Sequence, residues 1–126
     1  MSHFTEIKTQ IRDIGALRAA CDELGLALLD STQARGYGRR TRAGEHVIKL
    51  KGPYDIAVNK QPDGTFGLTT DWWAGHVEQE VGKSYGKLLQ LYGVHKTRLE
   101  ARRKGYTLRR QTLADGAIKL TIGGVR

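Results

Sequence analysis

Residues 54–73 read YDIAVNKQPDGTFGLTTDWW, and the reading of this stretch decides the fold. Tyr54, Ile56 and Val58 alternate with polar or small residues, and Phe66, Leu68 and Trp72 resume the alternation beyond Pro62-Asp63-Gly64. Period-two patterning on both sides of a turn signal specifies two antiparallel strands. Asp-Gly supplies the positive φ angles of a tight hairpin, and Pro62 fixes the approach to them. The hairpin ends on Asp71-Trp72-Trp73, which holds both tryptophans of the chain. It is therefore expected to be a sheet centre that delivers two large aromatics and a carboxylate to one edge.

On the N-terminal side, residues 3–11 set Thr5, Ile7, Thr9 and Ile11 against Phe4, Glu6, Lys8 and Gln10, the pattern of a first strand. Asp13 is placed to cap a helix whose Ile14, Leu17, Cys21 and Leu24 recur at helical spacing, with Gly25 as its stop. Cys21 falls on the buried stripe, as a small core residue. Leu26 to Asp30 is an apolar run too short for a helix and predicts a buried second strand. Ser31 to Gly44, STQARGYGRRTRAG, breaks the pattern and predicts a long loop holding four arginines around Tyr37. His46, Ile48 and Leu50 alternate as a third strand, which Gly52-Pro53 separates from the central hairpin.

On the C-terminal side, Gly75 leads into a helix with Val77, Val81, Tyr85, Leu88, Tyr92 and Leu99 on one stripe. Its glycines weaken it, each costing about 1 kcal/mol relative to alanine. A bend near Gly93 is expected, and Gly82-x-x-x-Gly86 implies close approach to the sheet. Arg102, Arg103 and Lys104 fall at the helix end, where cations favour the macrodipole. After Gly105, Tyr106 and Leu108, then Ile118, Leu120 and Ile122, flank Asp115-Gly116 as a terminal hairpin. The order predicts one domain over residues 1–126. Its fold class is α+β: a two-layer sandwich of a mainly antiparallel sheet with two helices on one face.

Composition bounds the function. The chain has 126 residues with 39% hydrophobic and 27% charged content, as in ordinary globular proteins. No apolar run approaches a membrane span and no signal-like segment opens the chain. With one cysteine, Cys21, no internal disulfide forms, and a cytoplasmic location is expected. The net charge of +8 is concentrated. Residues 33–52 carry six Lys/Arg against Glu45 and residues 95–110 carry seven against Glu100, so the rest of the chain is net acidic. Such asymmetry marks either an anion-binding face or a surface that keeps the protein dispersed.

Catalytic signatures are missing. His3, His46, His76 and His95 lack zinc spacing, the glycines of the arginine loop fit no phosphate-loop or dinucleotide pattern, and Ser31, Thr41 and Ser84 lack nucleophile context. Asp55, Asp71 and His76 could form a carboxylate and imidazole site, but the blander reading has both carboxylates binding backbone amides at strand ends. The expectation is a non-enzymatic binding protein without metal or cofactor. Its first candidate site is for RNA, a ribonucleoprotein or another polyanion, through Arg35, Tyr37, Arg39, Arg40, Arg42, Arg102, Arg103 and Lys104. The alternative is a protein partner docking on Asp71, Trp72 and Trp73, since tryptophan and arginine are enriched in binding hot spots.

Several stretches also carry a resemblance. MSHFTEIKTQI, ALRAACDELG, ARGYGRRTRA, the central YDIAVNKQPDGTFGLTTDWW, RKGYTL and DGAIKLTI together resemble a family of small uncharacterised proteins. It is known as a conserved reading frame of cyanobacteria and red-algal plastids, and from other bacteria and phages. The resemblance runs end to end. It implies no catalytic residues, and it implies encoding near AAA-type ATPases, so that an accessory-subunit role is one form of the docking alternative. Many relatives close with Arg-Trp, whereas this chain ends GGVR.

Overall fold

The computed structural model describes residues 4–125, with side chains through residue 124. His3 of the expected first strand, and the rest of its MSH opening, lie outside the described residues. The elements are β1 (Phe4–Lys8), α1 (Ile14–Glu23), β2 (Ala27–Arg35), β3 (Thr41–Lys49), β4 (Ile56–Lys60) and β5 (Phe66–Asp71), followed by α2 (His76–Val81), α3 (Gly86–Arg103), β6 (Tyr106–Thr112) and β7 (Ile118–Val125). Five strands form one antiparallel sheet in the order β1-β5-β4-β3-β2, while β6 and β7 form a separate ribbon. The β4–β5 hairpin is central as expected, joined to β3 on one side and β1 on the other.

The front of the sheet carries the main core. Ile56 and Val58 of β4, Leu68 of β5 and Ile48 of β3 are buried with Leu17 and Cys21 of α1 and Leu88, Leu91 and Tyr92 of α3. Both long helices therefore lie on one face, and the fold is the α+β sandwich that the alternation implied. Local chemistry fixes α1 at both ends. The Asp13 carboxylate accepts the Ala16 amide at 3.1 Å. At the other end, Leu26 N–H donates to the Cys21 carbonyl and Gly25 N–H to that of Asp22, the double closure of a Schellman motif with Gly25 at φ 74°. The Tyr92 hydroxyl accepts the amides of Arg12 and Asp13, which locks α3 against the start of α1.

The expected loop over 31–44 is instead mostly paired strand. β2 continues to Arg35 and β3 begins at Thr41, with register pairs from Thr32↔Gly44 to Arg35↔Thr41. Ladder hydrogen bonds need no apolar side chains, and Ala34 is the one buried side chain in this outer β2 segment, so the polar sequence hid the strands. The outer ribbon turns back across the rear of the sheet. Ala34 is buried with Val47 and Ala57, which face away from the helices, and the Asp55 amide donates to the Arg35 carbonyl at 2.9 Å. Ser31, at φ 46°, lies between the inner pairs that end at Asp30↔His46 and the outer pairs that begin at Thr32↔Gly44.

The long helix also departs from expectation. It breaks at Gly82–Tyr85, and Gly93 stays inside α3. Gly82, Ser84 and Tyr85 have φ of 85°, 52° and 65°, the left-handed region that interrupts a helix. A Cβ on Gly82 would stand 2.7 Å from the Lys87 nitrogen, so its close approach is to the following helix rather than the sheet. The bulky Tyr85 is fully buried and its ring meets Trp72 at 4.7 Å, so burial of that side chain holds the turn.

Candidate functional site

Two buried carboxylates on the rear of the sheet organise the surface. Asp55 receives the Arg35 side chain at 2.8 Å on each oxygen and the backbone amides of Arg35 and Leu50. Burial alone would raise the Asp55 pKa, but the Arg35 hydrogen bonds and the two amides outweigh it and hold the carboxyl below its ordinary value. The Arg35 guanidinium also donates to the carbonyls of Leu50 and Gly52. Arg35, an expected nucleic-acid contact, is thus occupied in tying the ribbon to the sheet.

Asp71, at 0% exposure, does the same for the ribbon tip. Its carboxylate accepts the Tyr37 amide at 3.1 Å and the Trp73 amide at 3.0 Å. The tip is seated against the sheet at Gly36, where a Cβ would come within 2.6 Å of the Phe4 ring. Above the carboxylate, the Tyr37 and Trp73 rings meet edge to face at 5.8 Å, and they remain 43% and 46% exposed. Trp72 turns inward against the core. One surface therefore joins Tyr37, expected in one site, to Trp73, expected in another. Arg39, Arg40 and Arg42 are exposed on the same ribbon end.

The second basic segment is elsewhere. Arg102, Arg103 and Lys104 are exposed at the end of α3, in the helix layer, whereas the ribbon tip lies on the opposite face of the sheet. The sheet separates the two groups. Arg102 and Arg98, one turn apart, instead line a groove of about 480 Å³ with Tyr106, Thr107 and Leu108. Arg98 lies in the same basic segment, and its i, i+4 spacing to Arg102 is the sequence signal for this pairing. The β6 ribbon is held beside the helices by Glu23, which receives Arg110 at 2.9 and 2.6 Å and His95 at 2.8 Å.

His76 begins α2 with its ring against Tyr54 at 5.3 Å. Among the described residues no group of three His, Cys, Asp or Glu is placed to hold a metal ion. Burial pushes the Cys21 thiol up to about 12, far from a reactive thiolate. No helix among the described residues is long and apolar enough to cross a membrane.

The fold and surface define a small α+β domain with a ribbon-borne aromatic and arginine patch. Residues 20–121 match the model of a family described as a protein of unknown function, DUF1257, and the chain belongs to that family. No curated protein and no solved structure matches the chain significantly.

Proposed function

We propose that this protein is a non-catalytic binding module that holds single-stranded RNA on the Tyr37–Trp73 surface. The observation that carries the reading is the meeting of these two exposed rings over buried Asp71, beside the exposed Arg39 and Arg42. Aromatic faces accept unstacked bases of any sequence, and flanking guanidiniums take the phosphates. The carboxylate beneath fixes the backbone of both aromatics, so little order would be lost on binding. Arg35 supports this site by anchoring the ribbon, and Arg102, Arg103 and Lys104 do not belong to it.

The test is fluorescence anisotropy of a labelled oligoribonucleotide titrated at several salt concentrations. Log affinity should fall with log salt by roughly 0.7 per phosphate contact, and Arg39→Gln with Arg42→Gln should weaken binding and flatten that slope. Tyr37→Ala or Trp73→Ala should each cost about 1–3 kcal/mol if the rings stack on bases. Absent binding at low salt, or affinity unchanged in these variants, retires the RNA reading. The same exposed Trp73 then favours a protein partner, such as an ATPase to which this chain is an accessory subunit.

A further inference from the structure

We propose that the groove between α3 and β6 binds the phosphate chain of a nucleotide, at a site separate from the Tyr37–Trp73 surface. The open groove offers about 480 Å³, a volume comparable to that of small-molecule sites. Arg98 and Arg102 project into it from successive turns of α3, with Ala101 and Leu108 as apolar lining and Tyr106 and Thr107 on the β6 side.

Like charges at i, i+4 repel along a helix, so this pair needs a reason. The helix macrodipole accounts for cations only in the last turn. That turn holds Arg102 and Arg103, and Arg98 lies before it. Neighbouring carboxylates do not neutralise the pair either. Glu100 is taken by Lys96 at 3.2 Å, and Glu23 by Arg110 and His95. Among the described residues, Arg98 and Arg102 have no acidic partner. An anion between them would relieve the repulsion and be gripped by two guanidinium forks, the geometry that suits phosphate oxygens. The forks start about 6 Å apart along the helix axis, a span that a diphosphate bridges better than a single small anion. Tyr106 is 38% exposed at the groove wall and offers a ring for the base, and arginine beside an aromatic favours a flat, electron-rich partner. The Glu23–Arg110 pair keeps β6 beside the helices, so the groove exists before the ligand arrives.

Isothermal titration of the full chain with ADP and with inorganic pyrophosphate tests the proposal. ADP should bind, and its affinity should fall at least tenfold in Arg98→Gln/Arg102→Gln and in Tyr106→Ala. Pyrophosphate should lose affinity in the arginine variant and keep it in Tyr106→Ala. Trp73→Ala should leave both unchanged, which separates this site from the RNA surface whatever happens there. Thermal melts check that each variant is folded, and the single arginine substitutions stand in if the pair is not. No ADP binding at millimolar concentration, ADP affinity unchanged in the folded arginine variants or in Tyr106→Ala, or ADP binding lost in Trp73→Ala, overturns the proposal.

Discussion

Asp71 holds the amide of Tyr37, 34 residues away in sequence, at 3.1 Å from a carboxylate oxygen that is wholly buried. This contact joins the tip of the β2–β3 ribbon to the end of β5, and the Trp73 amide donates to the other oxygen at 3.0 Å. A fully buried carboxylate that accepts one distant and one adjacent backbone amide makes the exposed surface above it a consequence of the core.

Replacing Asp71 with alanine should therefore cost about 2–4 kcal/mol, because it strands two amides that lose a charged acceptor. The same change should free the ribbon tip and separate the two rings. Urea denaturation measures the first effect, and faster hydrogen exchange at Tyr37 with altered Trp73 fluorescence measures the second. A variant of wild-type stability with an unchanged spectrum would mean that the ribbon is held without Asp71.

Arg35 and Arg39 stand four residues apart in one basic run, yet they should behave oppositely. Arg35→Met leaves the Asp55 carboxylate, 2% exposed, without its cation. The loss should be about 2–4 kcal/mol, toward the low end for a broken buried pair because the Arg35 side chain is 40% exposed. Arg39→Ala should change stability by less than about 0.5 kcal/mol, as for other surface positions. Thermal melts of the two variants decide the matter, and equal melting temperatures would refute the division of labour. Because the Asp55 pKa is lowered in the folded state, its contribution is present above the unfolded carboxylate value of about 3.9 and fades as pH falls through the lower folded value. In Arg35→Met, where the cation that lowers that pKa is gone, this acid-range slope should shrink.

The central hairpin, the Asp13 cap and the Gly25 stop were legible because residue type determines each locally: alternation, a short carboxylate, a glycine at positive φ. The outer β2–β3 ribbon was not, since a polar strand paired over the back of a sheet leaves no apolar period. Propensity puts the bend near Gly93, whereas the break runs over Gly82–Tyr85, where Ser84 and Tyr85 take positive φ although their residue types do not announce it. Tertiary burial of Tyr85 overrides its backbone preference there. Tyr37 and Trp73 were each visible as candidates, but their union depends on the ribbon folding back onto Asp71. Residue pattern alone cannot carry that.

Cys21 should be inert in the folded protein. It is fully buried in α1, and burial, with the neighbouring Asp22 charge adding to it, raises its pKa to about 12. Ellman's reagent at pH 8 should modify it at the rate of unfolding, and immediately in denaturant. Rapid modification under native conditions would show that α1 opens locally far more often than its place in the main core implies.

Glu23 provides the clearest pH dependence. Hydrogen bonding from Arg110, opposed by partial burial and reinforced by His95, lowers its pKa from 4.5 to about 2. A lowered folded-state value means stability that is complete above the unfolded pKa and is lost as pH falls from about 4.5 toward 2. The Glu23 side chain is 32% exposed, so solvent screening cuts the contribution to about 1 kcal/mol, nearer to a surface pair than a buried one. Glu23→Gln should remove that amount at pH 7 and almost none at pH 2, where the wild-type carboxyl is itself becoming protonated. Because the same carboxylate fastens β6 through Arg110, and a two-stranded ribbon is marginal by itself, the variant should exchange amide hydrogens faster across β6 and β7 than across the main sheet. Denaturant titrations at pH 7, 4 and 2.5, with exchange read by segment, test both parts. A wild-type minus variant difference that stays constant with pH would show that Glu23 acts by packing and not by its charge.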